Sequence, residues 1–222
     1  MNPSKPTVAL IGGTGDLGTG LAMRWAAAGY PIVIGSRAAE KAAQAASQLK
    51  SPAGARAPRG LANAAAAAAA EIVVITVPFA SHDAILDEIR GSVAGKLVVD
   101  TTVPLVPPKV ARVQLPPEDS AAVAAQKRLG ETARVVSAFH NVAALKLRKG
   151  EPIDCDVLVF GDQPADREVV IGLARDAGLR GLHAGPLANS AAAEALTSVL
   201  IGINRNYKVD GAGIRITGIQ AG

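Results

Sequence analysis

The sequence has little cysteine and few aromatic residues, and both shortages narrow the class of protein. Its 222 residues include one cysteine, Cys155, so the chain cannot form an internal disulfide bond. Aromatic residues make up 3% of the chain, while hydrophobic residues in total reach 49%. The core is therefore predicted to consist of alanine, valine, isoleucine and leucine, as is typical of a parallel β-sheet covered on both faces.

Long apolar runs and runs of basic residues are also missing. The longest apolar run, residues 64–77, is mostly alanine and is interrupted by Glu71, so we expect no membrane span and no membrane partner. The net charge of +4 comes without a basic run or interleaved aromatics, so no nucleic-acid partner is expected. It fits either a small anionic ligand or a solvated basic surface. With no charged-then-apolar leader and one cysteine, we expect a cytoplasmic protein.

Short apolar runs alternate with helical patterns along the first half of the chain. This alternation predicts a doubly wound parallel sheet of the Rossmann type, in a first domain of residues 1–138. A smaller C-terminal α/β domain, residues 139–222, is expected to follow. Predicted strands are residues 8–12, 32–35, 72–77, 97–100 and 135–138, with a weak one near 55–58, then 157–160, 182–185 and 214–217. Predicted helices are residues 17–28, 39–49, 61–70, 81–90, 119–129, 162–177 and one from about residue 190.

A glycine motif follows the first predicted strand. It reads Gly13-Thr14-Gly15-Asp16-Leu17-Gly18, and a helix and a second strand follow at the spacing of a βαβ unit. The glycines allow a tight turn and a close approach to a pyrophosphate, which the N-terminus of the helix attracts. The motif therefore predicts a dinucleotide-binding site.

The end of the second strand indicates which dinucleotide is bound. An NAD site usually has an acidic residue there, to accept hydrogen bonds from the ribose 2′-hydroxyl. This chain instead has Ser36 and Arg37, with Lys41 one helical turn later and Thr14 in the glycine loop. Such groups suit a 2′-phosphate, so the pattern favours NADP(H). The alternative is that Ser36 only caps a helix and Arg37 points at water.

Three loops leave the carboxyl edge of the predicted sheet, where ligands bind in open parallel sheets. The first carries Thr76, Val77, Pro78 and Phe79, the second begins at Thr101, and the third carries His140, Asn141 and Val142. We expect these loops to form the nicotinamide pocket. His140 is the candidate catalytic residue, because it is the one histidine in a predicted site loop; a structural role for it is equally open.

Several reductase arrangements are absent. The chain has no Tyr-x-x-x-Lys, no Lys-x-x-Asn after a glycine-rich helix start, no paired carboxylates and no Cys/His metal spacing, so no metal is expected. A carbonyl reductase needs a positioned acid, and none is evident beyond His140. Hydride transfer between two cofactors needs mainly alignment and a dry pocket.

At these residues the sequence resembles the NADPH-dependent coenzyme F420 reductase family (F420H2:NADP+ oxidoreductases) over nearly its whole length. Beyond the glycine motif and Gly35-Ser36-Arg37, the more specific matches are Val136-Ser137-Ala138-Phe139-His140-Asn141 and Ala184-Gly185-Pro186-Leu187-Ala188-Asn189-Ser190. The resemblance implies that coenzyme F420 stacks on the nicotinamide between two domains and exchanges a hydride with it. It also implies that Thr14, Ser36, Arg37 and Lys41 hold the 2′-phosphate and that the loop of His140 lies near the deazaflavin.

Other readings stay open at this point. We assign Asn141 and Val142 of the His140 loop, and Pro186 and Leu187 of the second specific match, to cofactor binding. The second electron carrier could instead be a flavin, the substrate a small imine or carbonyl compound, or the chain a non-catalytic NADP-binding protein. The apolar stripe of the last helix either packs internally or forms the face of a homodimer. Basic residues that would meet the anionic F420 tail are Lys146, Arg148, Lys149, Arg205, Lys208 and Arg215.

Overall fold

A six-stranded parallel sheet forms the centre of the molecule. In the computed structural model, which describes residues 5–219, its strands are β1 (Val8–Ile11), β2 (Ile32–Ser36), β3 (Arg59–Ala62), β4 (Ile72–Ile75), β5 (Leu97–Asp100) and β6 (Arg134–Ser137). They lie in the order β3-β2-β1-β4-β5-β6. The order reverses between β1 and β4, which opens a crevice at their carboxyl ends. The prediction of a Rossmann-type doubly wound sheet is confirmed.

Helices cover both faces of this sheet. They are α1 (Asp16–Ala27), α2 (Ala39–Ser47), α3 (Asn63–Ala68), α4 (His82–Ile89) and α5 (Ala121–Leu129). Successive strand residues point to opposite faces, so Val8 and Leu10 join one hydrophobic cluster while Ala9 and Ile11 join the other. Each strand of the centre is thus buried on both sides, which explains its continuous apolar sequence.

The C-terminal part is a smaller α/β unit. It contains the parallel pair β7 (Asp156–Val159) and β8 (Arg180–His183), with helices α6 (Ala144–Lys149), α7 (Pro164–Asp176) and α8 (Ser190–Tyr207). Trp25 of α1 is fully buried, and its Nε1 donates to the carbonyl of Leu173 in α7 at 2.8 Å. A Cβ on Gly20 of α1 would lie 2.7 Å from the Cβ of Leu147. Close contact between α1 and α6 therefore requires a glycine there.

Two predicted segments are displaced around β3. The weak strand expected near residues 55–58 lies instead at Arg59–Ala62, and the helix expected to start at residue 61 starts at Asn63. The sequence Arg-Gly-Leu-Ala has no β-branched residue to indicate a strand. A Cβ on Gly60 would lie 2.1 Å from the Ala42 carbonyl carbon, so the glycine lets α2 pack directly on this edge strand.

The strand predicted at residues 214–217 is wrong, and α6 was not predicted. One backbone hydrogen bond joins the Asp156 N–H to the Ile214 carbonyl at 2.8 Å, but the next N–H, that of Ile216, donates to the Asp156 carboxylate at 2.6 Å. Because a side chain takes the place of the next backbone partner, no ladder forms. Within residues 5–219 no helix is both long and apolar enough to cross a membrane. The two predicted domains extend to both ends of the chain, and the leader prediction concerns its N-terminus. Residues 1–4 and 220–222 lie outside the described residues.

Candidate functional site

The glycine loop joins β1 to α1 through two tight turns. The N–H of Gly13 donates to the carbonyls of Leu10 and Gly35, and the N–H of Gly15 donates to that of Gly12. Thr76, after β4, holds the start of the loop, because its N–H and its hydroxyl both donate to the Ile11 carbonyl, at 2.9 and 3.0 Å. The loop is therefore held in one conformation at the point where the sheet order reverses.

Three glycines of this loop serve different purposes. A Cβ on Gly13 would lie 2.7 Å from the Leu10 carbonyl oxygen, and one on Gly18 would lie 2.6 Å from the Cα of Gly13. These two are required by internal packing. Gly15 differs, since the nearest atom to its Cβ position is the Gly12 oxygen at 3.8 Å. Its open side faces the N-terminus of α1, so the free space fits a pyrophosphate rather than a protein neighbour.

Ser36 and Arg37 leave β2 beside the glycine loop. The Ser36 hydroxyl accepts a hydrogen bond from the Ala38 N–H at 3.3 Å. This bond closes a local turn and does not cap α2, whose N-cap residue is Ala38. Arg37 forms no ion pair with any of residues 5–219. An unpaired guanidinium in a cavity fits a phosphate ligand.

One cavity of about 370 Å³ brings together seven of the predicted cofactor residues. Its walls come from the glycine loop, the end of β2, the loop after β4 and α4; among the predicted residues it includes Thr14, Gly15, Ser36, Arg37, Thr76, Val77 and Pro78. Lys41 lines a neighbouring cavity of about 590 Å³ between α1 and α2. Thr14 borders both cavities, so Lys41 and Arg37 approach the loop from different sides.

The first two residues of α1 are engaged within the protein. The Asp16 carboxylate forms an ion pair with Arg148 of α6, and Leu17 packs against the core. Their N–H groups belong to the unpaired first turn of the helix. Arg215 pairs with Asp154 and Asp156. Lys149 lies 3.8 Å from Glu151, so three of the six basic residues suggested for an anionic tail already have acidic partners.

The loop after β6 turns sharply to place His140. Phe139 has a positive φ of 66°, which is strained for a residue with a side chain. Its ring is buried and packs edge-on against Trp25, with centroids 5.9 Å apart. This anchor returns His140 to β6, where its Nε2 lies 2.7 Å from the Ser137 hydroxyl. Burial lowers the pKa of His140 to about 4, so its imidazole is neutral at neutral pH.

The remaining predicted residues lie outside the glycine-loop cavity. The Asn141 amide donates to the Ala193 carbonyl and the Thr197 hydroxyl of α8, at 3.1 and 2.9 Å. Val142 packs against the core. Pro186 is exposed, and Leu187 is buried with its N–H donating to Asp162 at 3.0 Å. Phe79 stacks on His82 with centroids 6.4 Å apart. Asn141 thus fixes α8 to the loop of His140.

The structure reveals a buried ion pair that the sequence analysis missed. His82, the first residue of α4, places its Nε2 2.7 Å from Asp100 at the end of β5, and both side chains are 1% exposed. Burial lowers the pKa of His82, but the Asp100 carboxylate, together with the charges of Asp83 and Glu194, raises it by more. Burial likewise raises the pKa of Asp100, and His82 and Thr102 lower it by more. The His82 Nδ1 is buried with no partner among the described residues.

Glu194 of α8 faces this pair from the C-terminal unit. Its carboxylate accepts hydrogen bonds from the N–H groups of Ala121 and Ala122, at 2.7 and 3.2 Å. Burial raises the pKa of Glu194 to about 7, although these two amides act in the opposite direction. Nearby, Ser190 donates to the Ser120 hydroxyl at 2.8 Å. A buried polar contact therefore joins α8 to the start of α5.

Comparison with known proteins gives one family and several relatives. A family model described as NADP oxidoreductase, coenzyme F420-dependent, matches residues 7–104. A protein of Methanothermobacter thermautotrophicus named F420-dependent NADP reductase is 42% identical to this chain over 220 residues, which cover 96% of this chain and 95% of the relative. A protein of the same name from Methanocaldococcus jannaschii is 39% identical over 222 residues, covering 96% and 99%.

A solved structure is similar over the same length. It is a protein from Arthrobacter sp. FB24 with the provisional name F420-dependent NADP reductase, and the two chains share 26% identity. The TM-score is 0.80, and the match covers 96% of this chain and 99% of the other. The similarity therefore includes the C-terminal unit as well as the six-stranded sheet.

Proposed function

The chain belongs to the family of coenzyme F420-dependent NADP oxidoreductases, and on that premise we propose that it transfers a hydride between NADP(H) and the deazaflavin coenzyme F420. The family membership supports the deazaflavin as the second carrier. The end of β2 carries the other half of the proposal, because an unpaired Arg37 stands where an NAD-binding protein would have a carboxylate. That residue is the single observation that supports NADP(H) over NAD(H).

We propose that the cofactors divide the site between its loops. Gly15 and the first N–H groups of α1, those of Asp16 and Leu17, bind the pyrophosphate, and Gly13 and Gly18 allow the close packing that shapes the loop. Thr14, Ser36, Arg37 and Lys41 bind the 2′-phosphate, with Lys41 approaching across Thr14. The loops of Thr76, Val77, Pro78 and Phe79, of Asn141 and Val142, and of Pro186 and Leu187 enclose the nicotinamide and the deazaflavin. The boundary between the two domains falls between residues 138 and 139.

The reaction requires little acid–base chemistry from the protein. The nicotinamide C4 and the deazaflavin C5 exchange the hydride when both cofactors are bound. The chain's own residues have to align the two rings and exclude water from them. His140 suits this task, because its imidazole is neutral and fixed by Ser137, with 7% of the residue exposed. We therefore assign His140 a contact with the deazaflavin and no proton transfer.

A direct assay tests the proposal. The protein is mixed with NADPH and oxidised F420, and the visible absorbance of the deazaflavin is followed as it is lost. We expect turnover with F420 and much slower or no reduction of free flavin or of a small cyclic imine. Turnover of flavin or imine without F420 would select one of those substrates instead. NADPH binding without hydride transfer to any acceptor would make this a non-catalytic NADP-binding protein.

We also propose that the chain forms a homodimer through α8. The apolar stripe of this helix is divided, since Leu200 is 6% exposed whereas Val199, Ile203 and Tyr207 are 47%, 36% and 76% exposed. An exposed apolar face of this kind is unusual on a monomer. Light scattering is expected to give the mass of a dimer for the wild type and of a monomer for Ile203→Asp. A monomeric wild type would contradict the proposal. The cytoplasmic location remains a prediction from the sequence.

A further inference from the structure

The α4 wall of the cofactor cavity carries a carboxylate that hydride transfer does not use. Ser81, Ala84, Ile85 and Glu88 line this wall, and their spacing of three and four residues places them in one stripe along the helix. The stripe begins with small or apolar side chains and ends with the charge of Glu88. A wall of this composition suits a flat aromatic group that carries one polar substituent.

One oxygen of this carboxylate is held and the other is free. The Asn63 amide donates to Glu88 Oε2 at 3.2 Å, and the Asn63 Oδ1 accepts from the Gly12 N–H at 3.4 Å. Glu88 Oε1 accepts no hydrogen bond from residues 5–219. Asn63 thus connects the glycine loop to Glu88, and the second oxygen remains available to a ligand in the cavity.

Helix stability does not explain the carboxylate. Glu88 lies in the last turn of α4, where the helix dipole disfavours a negative charge. Although Glu88 and Arg37 line the same cavity, they form no ion pair in the described part of the chain. A negative charge in a cavity built for phosphates also repels them. Because Glu88 is exposed, a bound molecule that brings a hydrogen-bond donor to this wall can reach its free oxygen.

The order of groups along the dinucleotide identifies that donor. With the pyrophosphate at Gly15 and the 2′-phosphate at Arg37, the adenosine ribose would lie between them, and its base would extend to the remaining wall. Phosphate oxygens only accept hydrogen bonds, whereas the amino group of adenine donates them. We propose that Glu88 accepts a hydrogen bond from this amino group and so selects adenine over hypoxanthine. The inference rests on the proposed function in so far as NADP(H) occupies this cavity.

Calorimetric titration of the cofactor-free protein tests this without any turnover. The probes are NADP+ and its hypoxanthine analogue, in which a carbonyl oxygen replaces the amino group. Because that oxygen would face the carboxylate, we expect the wild type to bind NADP+ about tenfold more tightly or better. In Glu88→Gln, the amide keeps an acceptor for Asn63 and gains a donor for the analogue. We expect its preference to fall to about threefold or less.

Asp83→Asn is the matched control, since Asp83 is an exposed carboxylate of α4 that pairs with Arg128 and does not line the cavity. It should keep the preference of the wild type. An unchanged preference in Glu88→Gln overturns the inference. So does an equal loss of affinity for both probes, which would indicate a ribose hydroxyl as the partner. A wild type that binds both probes equally overturns the inference alone, whereas a wild type that binds neither overturns the proposed function as well.

Discussion

Arg37, the cation at the end of β2, is available to a ligand, because it forms no ion pair within the described part of the chain. A paired arginine would have to lose its partner before it could hold a phosphate, and Arg37 has none among residues 5–219. The Ser36 hydroxyl keeps its own proton available, because it acts as acceptor in the turn to Ala38. Both residues are thus ready to donate hydrogen bonds to an anion.

Replacing Arg37 with Glu tests this role. We expect Arg37→Glu to weaken NADPH binding by about ten- to a hundredfold, the size of a lost charge-assisted hydrogen bond. NADH lacks the 2′-phosphate, so its affinity should change by no more than about threefold. Fluorescence titration with the two nucleotides measures the split. Arg56→Glu is the control, because Arg56 lines a separate cavity with Thr7 and Pro31. Equal losses for NADPH and NADH in Arg37→Glu would contradict the assignment.

His140 and His82 differ in whether their contacts could be predicted from neighbouring residues in the chain. The sequence selected His140 by its place after a strand, and the structure buries it beside Ser137 in the neutral state. No local pattern in the sequence indicated His82, which forms a buried ion pair with Asp100 at the same edge of the sheet. The pair joins α4 to β5 across 18 residues, and no local spacing announces such a contact. The pairing needs the parallel register of β4 and β5.

At the scale of the element, the glycine loop separates folding from binding. Gly18→Ala would force its Cβ to within 2.6 Å of Gly13 Cα and Thr76 Oγ1, so we expect it to lose about 1–3 kcal/mol of stability. Gly15→Ala meets no atom closer than 3.8 Å and has a backbone of φ −77° and ψ 172° that alanine adopts. Its stability should stay within about 1 kcal/mol of the wild type.

Although Gly15→Ala is expected to fold with nearly unchanged stability, we expect it to bind the cofactor much more weakly. Its new methyl group would occupy the space left for the pyrophosphate, so the Kd for NADP+ should rise by about tenfold or more. Urea unfolding and calorimetry on the same preparations measure the two effects. Normal NADP+ affinity in a stable Gly15→Ala variant would show that the pyrophosphate does not approach this glycine.

At the scale of the molecule, α8 is joined to the Rossmann sheet by polar groups as well as apolar ones. Glu194, Ser190 and Thr197 of α8 bond to the start of α5 and to the loop of His140. Glu194 is 1% exposed, and His82 and Asp100 face it from α4 and β5. The helix therefore carries its carboxyl group into the same buried cluster that borders the cofactor loops.

This contact predicts a pH dependence of stability. The pKa of Glu194 is about 7 in the fold, against 4.5 without it, so the folded state holds a proton that the unfolded chain releases. Stability should therefore fall as pH rises from about 5 to about 8, by at most about 3 kcal/mol. Glu194→Gln cannot ionise, so urea unfolding between pH 5 and 8 should lose this part of the slope.

The exposed Glu131→Gln is the control for that measurement and should keep the slope of the wild type. The raised pKa of His82 also contributes stability that is lost as pH rises through the folded value. Because the Glu194 carboxylate also raises the pKa of His82, the difference between the two proteins reports Glu194 together with its coupling to His82. A slope that is the same in the wild type and Glu194→Gln would show that this carboxyl group does not hold a proton in the fold.

The sequence by itself determined the Rossmann-type sheet, the glycine loop and the basic groups after β2. These depend on local patterns: buried strands of Val8–Ile11 type, a fixed glycine spacing, and residues adjacent in the chain. Only the tertiary structure decided that Lys41 and Arg37 approach Thr14 from different cavities, that Asn141 bonds to α8, and that residues 214–217 form no strand. Those outcomes depend on which distant groups reach a side chain first, and the sequence alone does not carry that information.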